Sequence, residues 1–265
     1  MIASHLPLYK HLPIDNLTGV FANTSASYKF YWFLGILDLI HENENRFAFH
    51  KVVIRMMALS WYTINFHKLS FGVQDRLALG IKTIIKESDG AIAEDASKEA
   101  IIHYLETHYK KYKSIIDSFN EQVPYYFLSP FIGTKKRKVE FRQKSIASFE
   151  SDRPCPYKIV DKTIIIHPIW QQYLQQYSGI LQDFTLWNFV HRFLQSRNPN
   201  IPNITEKLIE RPIRKPLTQQ TKLWKLFASH QPIISIYSRK PIITFDIDHY
   251  VPWSFVSHNQ LWNLA

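Results

Sequence analysis

The sequence predicts a predominantly α-helical α+β fold, and three observations lead to this prediction. Apolar residues recur at spacings of three and four through much of the first half, as expected for helices packed against a core. Hydrophobic residues make up 46% and aromatic residues 15% of the 265 residues, a composition typical of globular proteins. Only seven glycines are present, which argues against a repetitive β architecture and against a glycine-rich phosphate loop.

The helices of the first half are predicted from the spacing of their apolar residues. Residues 26–41 and 49–66 give the clearest patterns, and the second is apolar nearly all round, which indicates deep burial. Residues 73–86 and 95–120 are predicted to form two more helices, the latter capped by Asp95 or Ser97. Four tryptophans in helical patterns are expected in the core: Trp32, Trp61, Trp170 and Trp187.

The second half mixes short β segments with helices. Residues 157–167 are predicted to form a hairpin that turns at Asp161 and Lys162. Residues 206–216 are basic and interrupted by prolines, which is typical of a linker or an extended arm. The other predicted elements are helices over residues 168–177, 181–196 and 217–229 and β segments over residues 233–237 and 242–247.

The charge is unevenly distributed along the chain. Its net charge is +10, yet residues 1–132 hold 13 basic and 13 acidic side chains, whereas residues 133–265 hold 19 and 9. Such asymmetry favours a polyanionic partner, nucleic acid first, for the second half. We therefore expect a helical domain over 1–132, a basic mixed α/β region and linker over 133–216, and a separate domain over 217–265.

The sequence indicates a cytoplasmic protein. Cys155 is the single cysteine and has no partner for an internal disulfide, which fits a reducing compartment. The N-terminus lacks a signal-peptide pattern, and the most apolar stretch, residues 28–40, is too short to span a membrane. We expect no membrane association, and the helical first domain could bind a protein partner or mediate oligomerisation.

The most informative segment is residues 242–254, in which an apolar β segment leads into Asp248 and His249 and then Pro252. Asn263 follows fourteen residues after the histidine. An Asp-His pair alone is explained more simply by hydrogen bonds to the backbone. With Pro252 and the spacing of Asn263 added, chance becomes a poor explanation of the segment.

This phrase, F-D-I-D-H-x-x-P-W-S followed by W-N-L, resembles the core of the HNH nucleases, a family with a ββα-metal fold. The resemblance covers residues 222–265. It implies that Asp248 binds a divalent Mg²⁺ or Mn²⁺ ion, that His249 is the general base, and that Asn263 braces the histidine-bearing loop. Asp246 lies two residues before Asp248 on the same predicted strand face and is a second candidate metal ligand.

The family's closing helix, which carries a second metal ligand, has no counterpart before Ala265. The predicted C-terminal ββα-metal hairpin is therefore incomplete, and one side chain with water should hold a hard dication weakly. We expect the natural protein to continue beyond Ala265, and the alternative is a truncated, inactive form. As given, the chain is expected to cleave DNA poorly or not at all.

Six basic residues are candidates for contacts with nucleic acid. Arg239 and Lys240 lie at the predicted turn before the Asp-His segment, where they could hold the substrate backbone. The other four form a run that could equally be a solvated loop: Lys135, Lys136, Arg137 and Lys138.

Together these features predict a metal-dependent HNH-type DNA endonuclease. By analogy with the family, fusion to a helical domain suggests restriction or anti-phage defence. The alternative is a catalytically silent nucleic-acid-binding or assembly protein that keeps a remnant of the motif.

Overall fold

The computed structural model of the chain describes residues 6–42, 44–134, 137–202, 204–209, 216–256 and 259–265. By its internal contacts the chain divides into two units, Met1–Pro199 (unit 1) and Asn200–Ala265 (unit 2). Helices predominate and one small antiparallel sheet is present, so the predicted helix-rich α+β class is confirmed. Within the described residues, no helix combines the length and the apolar character needed to cross a membrane.

Unit 1 is built mainly of helices that enclose an aromatic core. The helices are α1 Ile14–Thr18, α2 Tyr28–Leu39, α3 Phe49–Asn65, α4 Arg76–Ser88, α5 Lys98–Thr107, α6 Tyr109–Ser118, α7 Val123–Tyr126, α8 Ser129–Ile132, α9 Lys138–Phe149, α10 Pro168–Gln176 and α11 Ser178–Phe189. A π-helical segment, Val190–Leu194, continues α11, and 3₁₀ turns lie at Gly19–Phe21, Ile40–Glu42, Phe119–Glu121 and Gln195–Arg197.

Helices α2 and α3 form the centre of unit 1. Both are apolar on most faces, and Trp32 and Trp61 are fully buried in them, as predicted. A Cβ atom on Gly35 would lie 3.1 Å from the carbonyl oxygen of Val52, so a glycine is needed where the two helices approach each other. Trp187 was also predicted to be buried, but it is 50% exposed. It lies on a face of α11 that points away from the buried Leu181, Phe184 and Asn188.

The sheet has three antiparallel strands in the order β1-β3-β2, namely β1 Arg46–Ala48, β2 Tyr157–Val160 and β3 Thr163–Ile166. Strands β2 and β3 form the predicted hairpin. Asp161 and Lys162 at its turn both have positive φ, 43° and 58°, as the tight turn of a two-residue hairpin requires. Strand β1 pairs with the outer side of β3, with Phe47 opposite Ile164.

The predicted boundary near residue 132 differs from the observed division after Pro199. Residues on both sides of position 132 share one core, because the fully buried Tyr157 hydroxyl accepts a hydrogen bond from Trp32 Nε1 (3.1 Å) and donates one to the Pro124 carbonyl (2.7 Å). The neutral and basic halves of the sequence therefore do not correspond to structural domains. Charge is a surface property and does not report which segments pack together.

The predicted helix over 95–120 is two helices, α5 and α6, separated at His108, whose φ of −100° and ψ of 19° lie outside the α region. Of the two caps considered, the structure has Ser97, whose Oγ accepts a hydrogen bond from the Ala100 amide (3.2 Å).

The described residues of unit 2 form three helices and little regular β structure. The helices are α12 Glu206–Ile209, α13 Thr218–His230 and α14 Trp253–Val256, and a 3₁₀ turn lies at Leu261–Asn263. The proline-rich arm was predicted over 206–216, and its residues 210–215 lie outside the described part of the chain.

Candidate functional site

The two β segments predicted in unit 2 are not regular strands in the structure. Backbone pairing is limited to isolated bridges, Ile234 with Pro241 and His249 with Leu264. Proline at 241 has no amide to donate to a ladder. The side chains of Ile236 (72% exposed) and Ile243 (92% exposed) lie in solvent, so no buried face selects the strand alternation.

The backbone around the Asp-His pair is nevertheless held by the last residues of the chain. The amide of Asp248 donates to the Ala265 carbonyl (3.1 Å), and the amide of Ala265 donates to the Asp248 carbonyl (3.0 Å). The amide of Tyr250 donates to the Asn263 carbonyl (2.8 Å). Residues 248–250 and 263–265 thus run antiparallel and close the loop between them.

Asn263 is the buried polar centre of this loop. Its side chain has no solvent exposure, its Oδ1 accepts a hydrogen bond from the Val251 amide (2.7 Å), and its Nδ2 donates one to the Val251 carbonyl (2.9 Å). One amide group therefore satisfies both backbone polar groups of the residue two positions after His249. Asn263 thereby fixes the backbone of Val251, close to His249 in the chain.

The side chains of Asp248 and His249 lie close together but differ in solvent exposure. Asp248 Oδ1 accepts a hydrogen bond from the His249 backbone amide (2.8 Å) and lies 3.5 Å from His249 Nδ1. The Asp248 side chain is 78% exposed, whereas the His249 side chain is 2% exposed. The two side chains differ in exposure as neighbours on an extended backbone do, yet Asp248 Oδ1 still lies within 3.5 Å of the imidazole.

The other ring nitrogen of His249 has a partner that sequence reasoning missed. Nε2 lies 3.0 Å from Oδ1 of Asn259, and the backbone carbonyl of Asn259 accepts a hydrogen bond from Gln220 Nε2 on α13 (3.2 Å). Asn259 lies in the stretch between the recognised motif positions, and no spacing rule selects it. Gln220 is 39 residues away in sequence, and only the folded unit brings it to this loop.

The described residues do not complete a site for Mg²⁺ or Mn²⁺. They contain no group of three or more His, Cys, Asp or Glu side chains arranged to hold a metal ion. Asp248 is placed in solvent beside the histidine, and Asp246 is exposed. Mg²⁺ takes six oxygen ligands, and one or two carboxylates are often its only protein ligands, with water and a substrate phosphate supplying the rest.

The six basic residues predicted to contact nucleic acid lie in different parts of the chain. Lys135 and Lys136 are outside the described residues. Arg137 precedes α9 and Lys138 is its first residue; both form ion pairs, Arg137 with Glu140 (2.7 Å) and Lys138 with Glu121.

Arg239 and Lys240 are exposed at a turn in unit 2, where Arg239 has a φ of 58° and the Lys240 carbonyl accepts a hydrogen bond from the Ser235 amide (2.9 Å). The structure therefore places Arg239 and Lys240 in the same unit as the Asp-His pair, and Arg137 and Lys138 in unit 1.

Comparison with known proteins identifies no relative. No family model matches the sequence, no curated protein matches it, and no solved structure matches the fold.

Proposed function

We propose that unit 2 forms part of an HNH-type endonuclease that cleaves DNA. The observation that carries the proposal is the arrangement around His249. A carboxylate and an imidazole approach within 3.5 Å, on a loop whose backbone is held by a fully buried asparagine at the spacing that the resemblance requires.

In the proposed reaction His249 is the general base. Its imidazole accepts a proton from a water molecule, the water oxygen bonds to phosphorus, and the P–O bond to the leaving oxygen breaks as that oxygen takes up a proton. Asp248 lies on the Nδ1 side of the ring and Asn263 fixes the loop. The proposal includes dependence on Mg²⁺ or Mn²⁺ from the resemblance alone, since the described residues do not complete a metal site.

Charge supports DNA as the substrate. Residues 200–265 contain eight basic and four acidic side chains. Four of the basic ones are exposed in the described part of unit 2, two on α13 and two at the turn: Lys222, Lys225, Arg239 and Lys240. By analogy, we place the proposed cleavage in restriction or anti-phage defence, with unit 1 as the part that senses a partner.

The test is a plasmid-nicking assay with Mg²⁺, Mn²⁺ or EDTA. We expect slow, metal-dependent nicking by the chain, and a decrease of about 10²- to 10⁴-fold in His249→Ala because the base is lost. His230→Ala removes an exposed histidine of the same unit and is the matched control. Equal nicking by the wild type and His249→Ala would show that His249 is not the general base.

A second candidate is a catalytically silent protein that binds nucleic acid or assembles with a partner. Two observations favour it: the 2% exposure of the His249 side chain, and the lack of a three-ligand group among the described residues. This candidate predicts salt-dependent retention on DNA without nicking under any metal condition. Nicking that His249→Ala abolishes would exclude it.

A further inference from the structure

His249 has two ring nitrogens, and the structure distinguishes them by their neighbours. Nε2 lies 3.0 Å from Asn259 Oδ1, a normal hydrogen-bond distance. A carbonyl oxygen can only accept, so this contact favours the tautomer with the proton on Nε2. Nδ1 lies on the other side of the ring, 3.5 Å from Asp248 Oδ1.

Asn259 is itself held in place by a helix of unit 2. The Gln220 side chain on α13 donates to the Asn259 backbone carbonyl at 3.2 Å. The histidine ring is thereby connected, through Asn259, to an element outside the loop that carries it. The near-complete burial of the ring means that its orientation is set by such contacts and not by solvent.

We propose that Asn259 is the positioning residue of His249. Its side-chain oxygen selects the Nε2–H tautomer and fixes the ring so that the unprotonated Nδ1 lies on the Asp248 side. A base can accept a proton only through a nitrogen that lacks one, so the tautomer decides which ring edge is able to act. The kinetic consequence rests on the proposed nuclease function, whereas the tautomer itself does not.

The test is ¹⁵N NMR of the histidine ring nitrogens in the full chain at about pH 9, above the ordinary titration range of histidine. The chain has 12 histidines, and the signals that disappear in His249→Gln identify the relevant ring. The wild type should show the Nε2–H pattern. Asn259→Leu removes the acceptor and should give a mixture of tautomers, and Asn259→Asp keeps an acceptor oxygen and should retain Nε2–H.

Gln260→Leu, the same amide-to-aliphatic change one residue later, should leave the pattern unchanged. If Asn259→Leu does not fold, Asn259→Ser repeats the test with a side chain too short to reach Nε2. A wild-type ring protonated at Nδ1, or an unchanged tautomer in a folded variant lacking the acceptor, overturns the proposal.

The kinetic measurement separates this proposal from the nuclease function. In a single-turnover nicking assay Asn259→Leu should lower the rate constant about 10²-fold, as expected for a misplaced catalytic group, without changing the affinity for DNA. A chain that nicks no DNA but loses its tautomer in Asn259→Leu contradicts the nuclease function and supports the positioning role. A nuclease whose rate and tautomer are both insensitive to Asn259→Leu contradicts the positioning role alone.

Discussion

The two units are stabilised in different ways. In unit 1 the buried set includes the largest side chains of the protein, among them Trp32, Trp61 and Trp170, each without solvent exposure. In unit 2 large apolar side chains are exposed instead, among them Leu226, Phe227, Ile236, Tyr237, Ile243, Tyr250 and Trp262. Unit 1 therefore folds by burying apolar surface, and the loop of unit 2 depends more on a few hydrogen bonds around one asparagine.

The largest effect is expected from opening the core of unit 1. Trp170 is fully buried against Phe131 and Tyr173, and its Nε1 donates to the Pro154 carbonyl (2.7 Å). Trp170→Ala should lower the free energy of unfolding of unit 1 by about 3–5 kcal/mol, because a cavity remains. Urea unfolding followed by labelling of the Cys155 thiol, which lies in unit 1, measures this. A loss below about 1 kcal/mol would contradict the described core.

Two buried asparagines allow the units to be compared directly. Asn198 in unit 1 accepts from the Ser70 amide (2.8 Å) and donates to the carbonyls of Ser70 (2.8 Å) and Leu194 (3.0 Å). Asn263 makes the corresponding pair of bonds to Val251 in unit 2.

Each of the changes Asn198→Ala and Asn263→Ala should cost about 1–3 kcal/mol through unsatisfied backbone groups. We expect Asn198→Ala to increase labelling of the Cys155 thiol in unit 1. We expect Asn263→Ala to increase hydrogen exchange of the Val251 amide in unit 2. If either variant changes both readouts equally, the units do not unfold independently.

Cys155 gives unit 1 a distinctive dependence on pH. The thiol is fully buried, and burial raises its pKa from the ordinary 9.0 to about 11. An acid whose pKa is higher in the folded state loses its proton first in the unfolded chain. The free energy of unfolding should therefore fall by about 1 kcal/mol per pH unit from pH 9 to pH 11, and Cys155 should contribute no dependence below pH 9. Burial also raises the pKa of tyrosines in unit 1, among them Tyr109 to about 12, so a decrease above pH 10 should persist in Cys155→Ala. This variant should lose the part of the decrease that begins near pH 9, and an unchanged onset would contradict the role given to Cys155.

The smallest effect on stability is expected from the exposed charges. Arg137→Ser should change the free energy of unfolding by less than about 1 kcal/mol, because its pair with Glu140 is exposed.

DNA binding distinguishes the units more sharply. Arg239→Ser with Lys240→Ser should reduce the slope of log affinity against log salt by about 2, and Arg137→Ser with Lys138→Ser by less, since the latter charges are already paired. The reverse order would place the DNA surface on unit 1.

Local patterns in the sequence predicted the parts of the fold that local physics controls. The hairpin of β2 and β3 follows from alternating residues around Asp161 and Lys162, and helices α2 and α3 follow from apolar spacing. The sequence also singled out Asp248, His249 and Asn263. In the structure the first two lie within 3.5 Å of each other, and the side chain of the third binds the backbone of Val251. It missed β1, whose three residues are too few to give a pattern.

The sequence alone determined the helical class, the hairpin and the spacing of the Asp-His-Asn motif, because these depend on residues close together in the chain. The tertiary structure decided that residues 133–199 join the first core, that the β segments near the motif stay irregular, and that Asn259 contacts the histidine ring. These outcomes depend on which distant surfaces bury each other. The order of residues along the chain does not predict which distant surfaces pack together, because one apolar or polar residue can pack against several different partners.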